Sequence, residues 1–454
     1  MRCTRALSVL APIGVVLAAG SAAAATLSVG AGQTYPTIAE AAAAAADNDI
    51  IEIHAGTYRE AVTWRAAGLT VRGVGGRPVI DMTGMPISNG KGIFVVDGSN
   101  FTVENVELVG ATVGDRNGAG IRWESPGSLT VRGCIFRSNE NGILGGGAAH
   151  PENTAVIEQN EFVDNGRGDV GYTHSVYFGD AESVTFRGNW SHALWPDGAD
   201  VGHLFKSRAR HTYVLYNRLT AEGTHSSYEI NMPQGGDGYV IGNLIQQRVG
   251  DQRVMISFAD GDGTQYPGSA LRVVNNTFVS ESSGDATFIR TSLAEAVMTV
   301  RNNLVIGPGT LVTGGVITMD HNLVGSAADL VSADMFDYHL VAGSAAIDAG
   351  GAPGTDVTPL MPAFQYVHPT SLETRVVVGS AIDVGAYEFG NAPVLGDDLP
   401  PGRDAGTDGG GDDPGAPGDG SGCCSAQHSL PSGSLALVVG VGIALGGRRR
   451  RRSK

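Results

Sequence analysis

The chain has 454 residues, 67 of them glycine, and a formal net charge of −16. Much Gly and Asn with few long apolar runs points to short strands joined by many turns, an all-β chain. An acidic chain of this kind speaks against a nucleic-acid partner, which calls for a basic domain.

Residues 1–25 read as a signal peptide. Arg2 and Arg5 form the charged region, Leu7 to Ala19 the apolar run, and Ala22 to Ala25 the small-residue cleavage zone. Export follows as an expectation. Cys3 leaves with that segment, Cys134 stands alone in the body, and Cys423 and Cys424 are adjacent in the tail. The body therefore has no disulfide framework, and a regular core must stabilise it.

The body, residues 26–395, opens with "TYPTIAEAAAAAADNDIIEIHAGTYRE". The Ala-rich stretch near Pro36 to Ala46 predicts a helix, followed by a strand that ends at Gly56. A helix there would cap the first coil of a solenoid. A short motif then recurs: a β-rich run, an Asn, and an apolar residue two places on. Its anchors are Cys134, Asn160, Asn189, Asn217, Asn243, Asn276, Asn303 and Asn322, with Val106 at the same point one repeat earlier. A period in the twenties with one Asn per repeat is the mark of a solenoid whose repeats are coils of strands. The Asn amides would bond from coil to coil as a ladder. The plain alternative is that they only occupy turns.

The opening helix, the "D-x-I-x-I" strand and the "G-x-Y" turn resemble the start of the pectate-lyase-like right-handed parallel β-helix proteins. "HLVAGSAAIDAG" and "AIDVGAYEFG" resemble the closing segment of exported bacterial proteins of that fold. The resemblance spans roughly residues 26–391. It implies a single-stranded right-handed parallel β-helix with an N-terminal capping helix. It specifies the fold better than the reaction.

Counting back from the ladder places "HSVYFGD", "HLFKSRA", "SYEINMP" and "MISFADG" on equivalent strands of neighbouring coils. Strict alternation would point Val176, Phe178, Phe205, Ser207, Tyr228, Ile230, Ile256 and Phe258 inward. Tyr177, Lys206 and Glu229 would then form one outward row. Arg208 and Asn231 would sit in the next, with Arg210 past the strand end and Arg122 and Glu124 toward the N-terminus. His174 and His203 would stack on each other, inward or at the strand edge.

A Lys, two Arg and a Tyr on a shallow groove suit an acidic polysaccharide. Arg can hold a uronate carboxylate by two hydrogen bonds. That neutralisation acidifies the C5 proton. A Lys or Arg with a pKa lowered by neighbouring cations can then take it, while Tyr177 protonates the leaving oxygen. This β-elimination is the reaction of polysaccharide lyases, and the resemblance implies basic side chains in that role.

The candidate catalytic residues are Lys206, Arg208, Tyr177 and Glu229, and the candidate substrate-binding residues are Arg210, Asn231, Arg122, His174 and His203. Other readings stay open at this point: a non-catalytic glycan-binding or structural surface protein, a C5-epimerase, or a hydrolase pairing Glu229 with Asp180 or Asp197 across about 5–10 Å. No cofactor is expected. Some lyases of this fold use calcium, but the acidic loops at Asp197 to Gly202 and at Asp260 and Asp262 lack EF-hand spacing and read as solvated turns. "GHLFKSRARHTYVLYNRLTAEGTHSSYEINMPQGGDGYVIGNLIQQ" resembles a segment of uncharacterised exported bacterial β-helix proteins and names no substrate.

Residues 396–422 are rich in Gly, Pro and Asp and read as a disordered linker. Residues 423–454 hold the Cys pair, an apolar stretch from Leu430 to Gly447 and "RRRRRSK". This order resembles the C-terminal sorting tails of myxobacterial surface proteins. That implies a membrane or sorting-protease partner and a cell-surface location. A monomer is expected.

Overall fold

The computed structural model describes residues 23–146, 150–166, 173–194, 202–222, 224–248, 253–261, 263–282, 284, 286–352 and 361–391. The N-terminal segment through residue 22 and the linker and tail from residue 392 lie outside the described residues.

Among the described residues, parallel strands form three long sheets of twelve, ten and eleven strands, each strand pairing with its counterpart one coil away. One coil runs from the ten-stranded sheet through the twelve-stranded to the eleven-stranded sheet. His203–Ser207, His211–Leu215 and Arg218–Thr220 make one such coil. The chain is an all-β parallel β-helix, as its repeats predict. The helix Ile38–Ala44 caps the first coil, with the Thr37 hydroxyl accepting from the Glu40 amide. Glu60 accepts from the free amides of Ile38 and Ala39.

The Asn ladder is real. Nδ2 of Asn160, Asn189, Asn217, Asn243, Asn276 and Asn303 each donates to Oδ1 of the next Asn, at 2.8–3.1 Å. The same nitrogens also donate to backbone carbonyls, such as Phe186 from Asn217 and Val214 from Asn243. All but the last anchor, Asn322, are buried. At the ladder's N-terminal end the Cys134 backbone amide donates to Asn160 Oδ1. Burial pushes its thiol up to about 11. The residue before each anchor has positive φ, from Gly133 to His321, which turns the chain from the twelve- to the eleven-stranded sheet. Gly or Asn holds most of those positions because they tolerate that conformation. Inside, Phe136 and Phe162 stack on successive rungs, and Phe186 and Phe205 from the other two sheets continue the ring contacts, with centroids 4.7–5.8 Å apart.

The closing segment does not end over the last coil. Residues 330–350 and 361–391 instead lie along the outer face of the eleven-stranded sheet. Asn275 Nδ2 donates to the Asp383 carbonyl, and Ala386 N donates to Thr277 Oγ1. A second apolar cluster, including Leu304, Tyr338, Tyr366 and Tyr387, fills the interface. Among the described residues the final coil is left open: Met319, which stacks in register beside Val300, is 55% exposed.

Candidate functional site

The outward face of the ten-stranded sheet carries the predicted residues, in a register different from the expected one. Tyr177 is level with Lys206, Lys206 with Asn231, Asn231 with Ser257, and Ser257 with Arg290. These rungs are ~4.8 Å apart. A second row beside it holds His203 level with Tyr228. Asn231 therefore belongs to the row of Lys206, and Glu229 is two residues out of it.

Glu229 falls between the pairs His203–Tyr228 and Phe205–Ile230, level with Leu204, and is fully buried. Leu204, Met255 and Phe288 hold this slot on successive coils, and all are core residues. So are Phe205, Ile256 and Ile289, the residues that follow. Strict alternation fails at this corner, where the chain enters the sheet and turns two consecutive side chains inward. Glu229 thus occupies an interior slot, where its Oε1 accepts from Ser226 Oγ at 2.5 Å. The same kink puts Tyr228 on the outer face, not inside.

Three predicted residues converge. The Lys206 ammonium stands 5.0 Å from the centre of the Tyr177 ring. Arg208 Nε donates to Tyr177 Oη at 3.0 Å, from just past the strand end, where the Arg208 amide bonds to the Phe178 carbonyl. His174 and His203 do stack, with centroids 4.5 Å apart and planes 12° from parallel. They face the groove side: His174 meets the Tyr177 ring edge-on at 5.5 Å, and His203 Nε2 is 3.0 Å from Asn231 Nδ2.

His174 Nδ1 accepts from the His203 amide, so its proton sits on Nε2. With Asn231 donating to Nε2, the His203 proton sits on Nδ1, an atom with no hydrogen-bond partner, like Asn231 Oδ1 and Ser257 Oγ. Burial, then the charge of Lys206, lowers His203 to about 3. Burial, then the positive potential of His203, Lys206 and Arg208, holds His174 well below its ordinary value. Both imidazoles are neutral at pH 7.

Two further residues extend the site. Arg290 donates to Tyr228 Oη at 3.2 Å and pairs with Asp260 at 2.5 Å. Sequence counting missed Arg290 because its strand, Thr287–Thr291, was not placed on the row. The "FIR" of that strand, two core residues and then a cation, matches "LFK" at Leu204 to Lys206. Asp260 holds Arg290 in place, more than a solvated turn would. Asp197 and Asp262 lie outside the described residues.

Arg210 lies off the cluster. It is exposed, 5.5 Å from the Tyr266 ring and 3.7 Å from Glu182. Arg122 shares the row of Tyr177 but is separated from it by Leu144, and Glu124 binds it at 2.9 Å.

A family model described as "Right handed beta helix region" matches residues 60–201. Among solved structures, the chain is similar to the pectate lyase Pel9A, at 16% identity and a TM-score of 0.50, over 81% of this chain and 97% of that one. A pectin methylesterase from Aspergillus niger aligns at 14% identity and a TM-score of 0.28, over 68% of this chain and 87% of that one. A comparison with curated proteins gives no match. The coils, the family model and the pectate-lyase likeness together establish a right-handed parallel β-helix.

Proposed function

We propose that the protein binds an acidic, uronate-containing polysaccharide along the row from Tyr177 to Arg290 and cleaves it by β-elimination. The observation that carries this reading is the convergence of two cations, Lys206 and Arg208, on the Tyr177 phenol. Arg208 would hold the uronate carboxylate. Lys206 would take the C5 proton. The electron pair left behind forms the C4–C5 double bond, the C4–O bond breaks, and the Tyr177 hydroxyl gives its proton to the leaving oxygen. The neutral His203 and Asn231 would meet sugar hydroxyls without adding charge. The pectate-lyase fold is compatible with such a polymer. A hydrolase is less well supported, since Glu229 occupies an interior slot. The N-terminal segment and the Cys-apolar-Arg tail support export and retention at the cell surface.

The test incubates the purified protein with polygalacturonate, alginate and glucuronan and follows the absorbance of unsaturated uronate. Wild type should release product. Lys206→Ala should lower the rate by roughly 10²–10⁴-fold, the range of a general base. Binding to these polymers without any unsaturated product would replace the lyase with a non-catalytic binding module.

A further inference from the structure

Around the corner from the groove, the covering segment and the eleven-stranded sheet enclose a cleft of about 370 Å³. Its wall presents the rings of Phe336, His339 and His368 and the carboxylates of Asp337 and Glu373, with Arg218 below them. His339 lies flat on Tyr387 at 3.8 Å, which fixes its plane. His368 is held edge-on by Trp190 at 4.5 Å.

Arg218 is the cation of this cleft, and its charge is already used. Its Nη2 bonds Glu222 at 2.6 Å, its Nη1 lies 3.2 Å from His368 Nδ1, and its guanidinium sits 5.0 Å from the Phe336 ring. Burial and the charge of Arg218 lower the His368 pKa, so this ring is neutral and keeps a donor on Nε2. Asp337 accepts from His339 Nδ1 at 2.6 Å, and Glu373 accepts from Gln365 at 2.5 Å.

The cleft therefore offers ring faces, acceptors and neutral donors. A carboxylate would find its cation committed and two carboxylates nearby. The volume lies at the lower end of ligand pockets, roughly 300–1,000 Å³. We propose that this cleft is a second carbohydrate site, selective for a sugar residue that bears hydroxyl or amino groups and no carboxylate. Its C–H face would lie on the rings, and its polar edge would meet Asp337 and Glu373. It stands independently of the groove.

Saturation-transfer NMR on the whole protein tests this, with methyl galactoside, methyl glucoside, glucosamine and galacturonate as probes. The readout is the part of each signal that His339→Ala removes, which separates this cleft from the groove. His339 is exposed, so that variant keeps the fold, and thermal unfolding verifies it. At least one uncharged or amino sugar should lose its signal at least tenfold in His339→Ala and stay unchanged in Lys206→Ala. A His339-dependent signal from galacturonate equal to the others overturns the proposal. So does the lack of any His339-dependent signal.

Discussion

The groove face and the covered face meet at one corner of the solenoid, and the buried His203 of the one and His192 of the other shift in opposite ways. On the groove face His174 and His203 stack on each other beside Lys206 and Arg208 and stay neutral. On the covered face His192 stacks on Trp190 at 3.6 Å and lies between Glu161 and Glu222, which raise its pKa despite its burial. Both sets of imidazoles are buried. The charge of the neighbours decides the outcome, and desolvation alone does not. The contrast suits two tasks. Neutral rings beside cations leave the groove free to receive an anion. A His–Glu–Arg network ties strands together.

The covered face holds a fully buried ion pair, and breaking it should give the largest effect on stability. Arg375 and Glu388 are both fully buried, 3.0 Å apart, and Arg375 also donates to the carbonyls of Asp383 and Gly385. Arg375→Met leaves Glu388 charged and buried. The expected cost is about 3–5 kcal/mol in denaturant unfolding, with early protease cleavage between residues 361 and 391. The bonds of this pair to Gly385, Asp383 and Val378 lie within the closing segment, so the far-UV signal of the groove strands should persist while that segment detaches. A single cooperative loss of both faces would show that they are one unit.

The ladder underlies both faces and should respond by position. Asn217→Ala removes the donor to the Phe186 carbonyl and to Asn243, and the acceptor for Asn189. With about 1–3 kcal/mol for each buried group left unsatisfied, partly relieved by the remaining bonds, roughly 2–3 kcal/mol should be lost. Asn322→Ala at the open end should cost under about 1 kcal/mol, since water reaches that rung. Equal losses at both rungs would mean that burial does not set the ladder's strength.

Much of this was readable in the sequence. The seven Asn anchors and Cys134 specify the ladder, because one amide per coil at a fixed turn has few other uses. Tyr177 and Lys206 were placed side by side, and the strand register agrees. The next coil was misplaced in counting back from Asn243: Asn231, 12 residues before that anchor, is the counterpart of Lys206, 11 before Asn217. A two-residue slip there exchanged Asn231 for Glu229 in the row. Alternation then failed a second time, because the corner turns Leu204 and Phe205, and likewise Met255 and Ile256, inward together. Adjacent apolar pairs in "LF", "MI" and "FI" were the available sign. The path of the closing segment was not readable, since it depends on contacts such as Asn275 with Asp383, 108 residues apart.

The opposite histidines give the finest test, and the two limbs of a pH–stability curve separate them. His203 has a folded pKa of about 3, below its ordinary 6.5. The unfolded chain takes up a proton where the native protein does not, so stability falls as pH drops from about 6.5 toward about 3. The slope approaches 1.4 kcal/mol per pH unit for each such histidine, and His174 shifts in the same direction. His203→Gln should flatten this acid limb. His192 runs the other way. Its folded pKa is raised, so its contribution is fully present below about 6.5 and is lost as pH rises through the raised value. His192→Gln should therefore cost more at pH 6 than at pH 8. Its magnitude should be the smaller of the two, since burial opposes the shift. Imidazole NMR titrations give the direct reading: His192 should titrate above 6.5, and His203 should stay neutral down to pH 5. A His203 ring that protonates near 6.5 would mean that Lys206 and burial do not control it, and the contrast between the faces would fail.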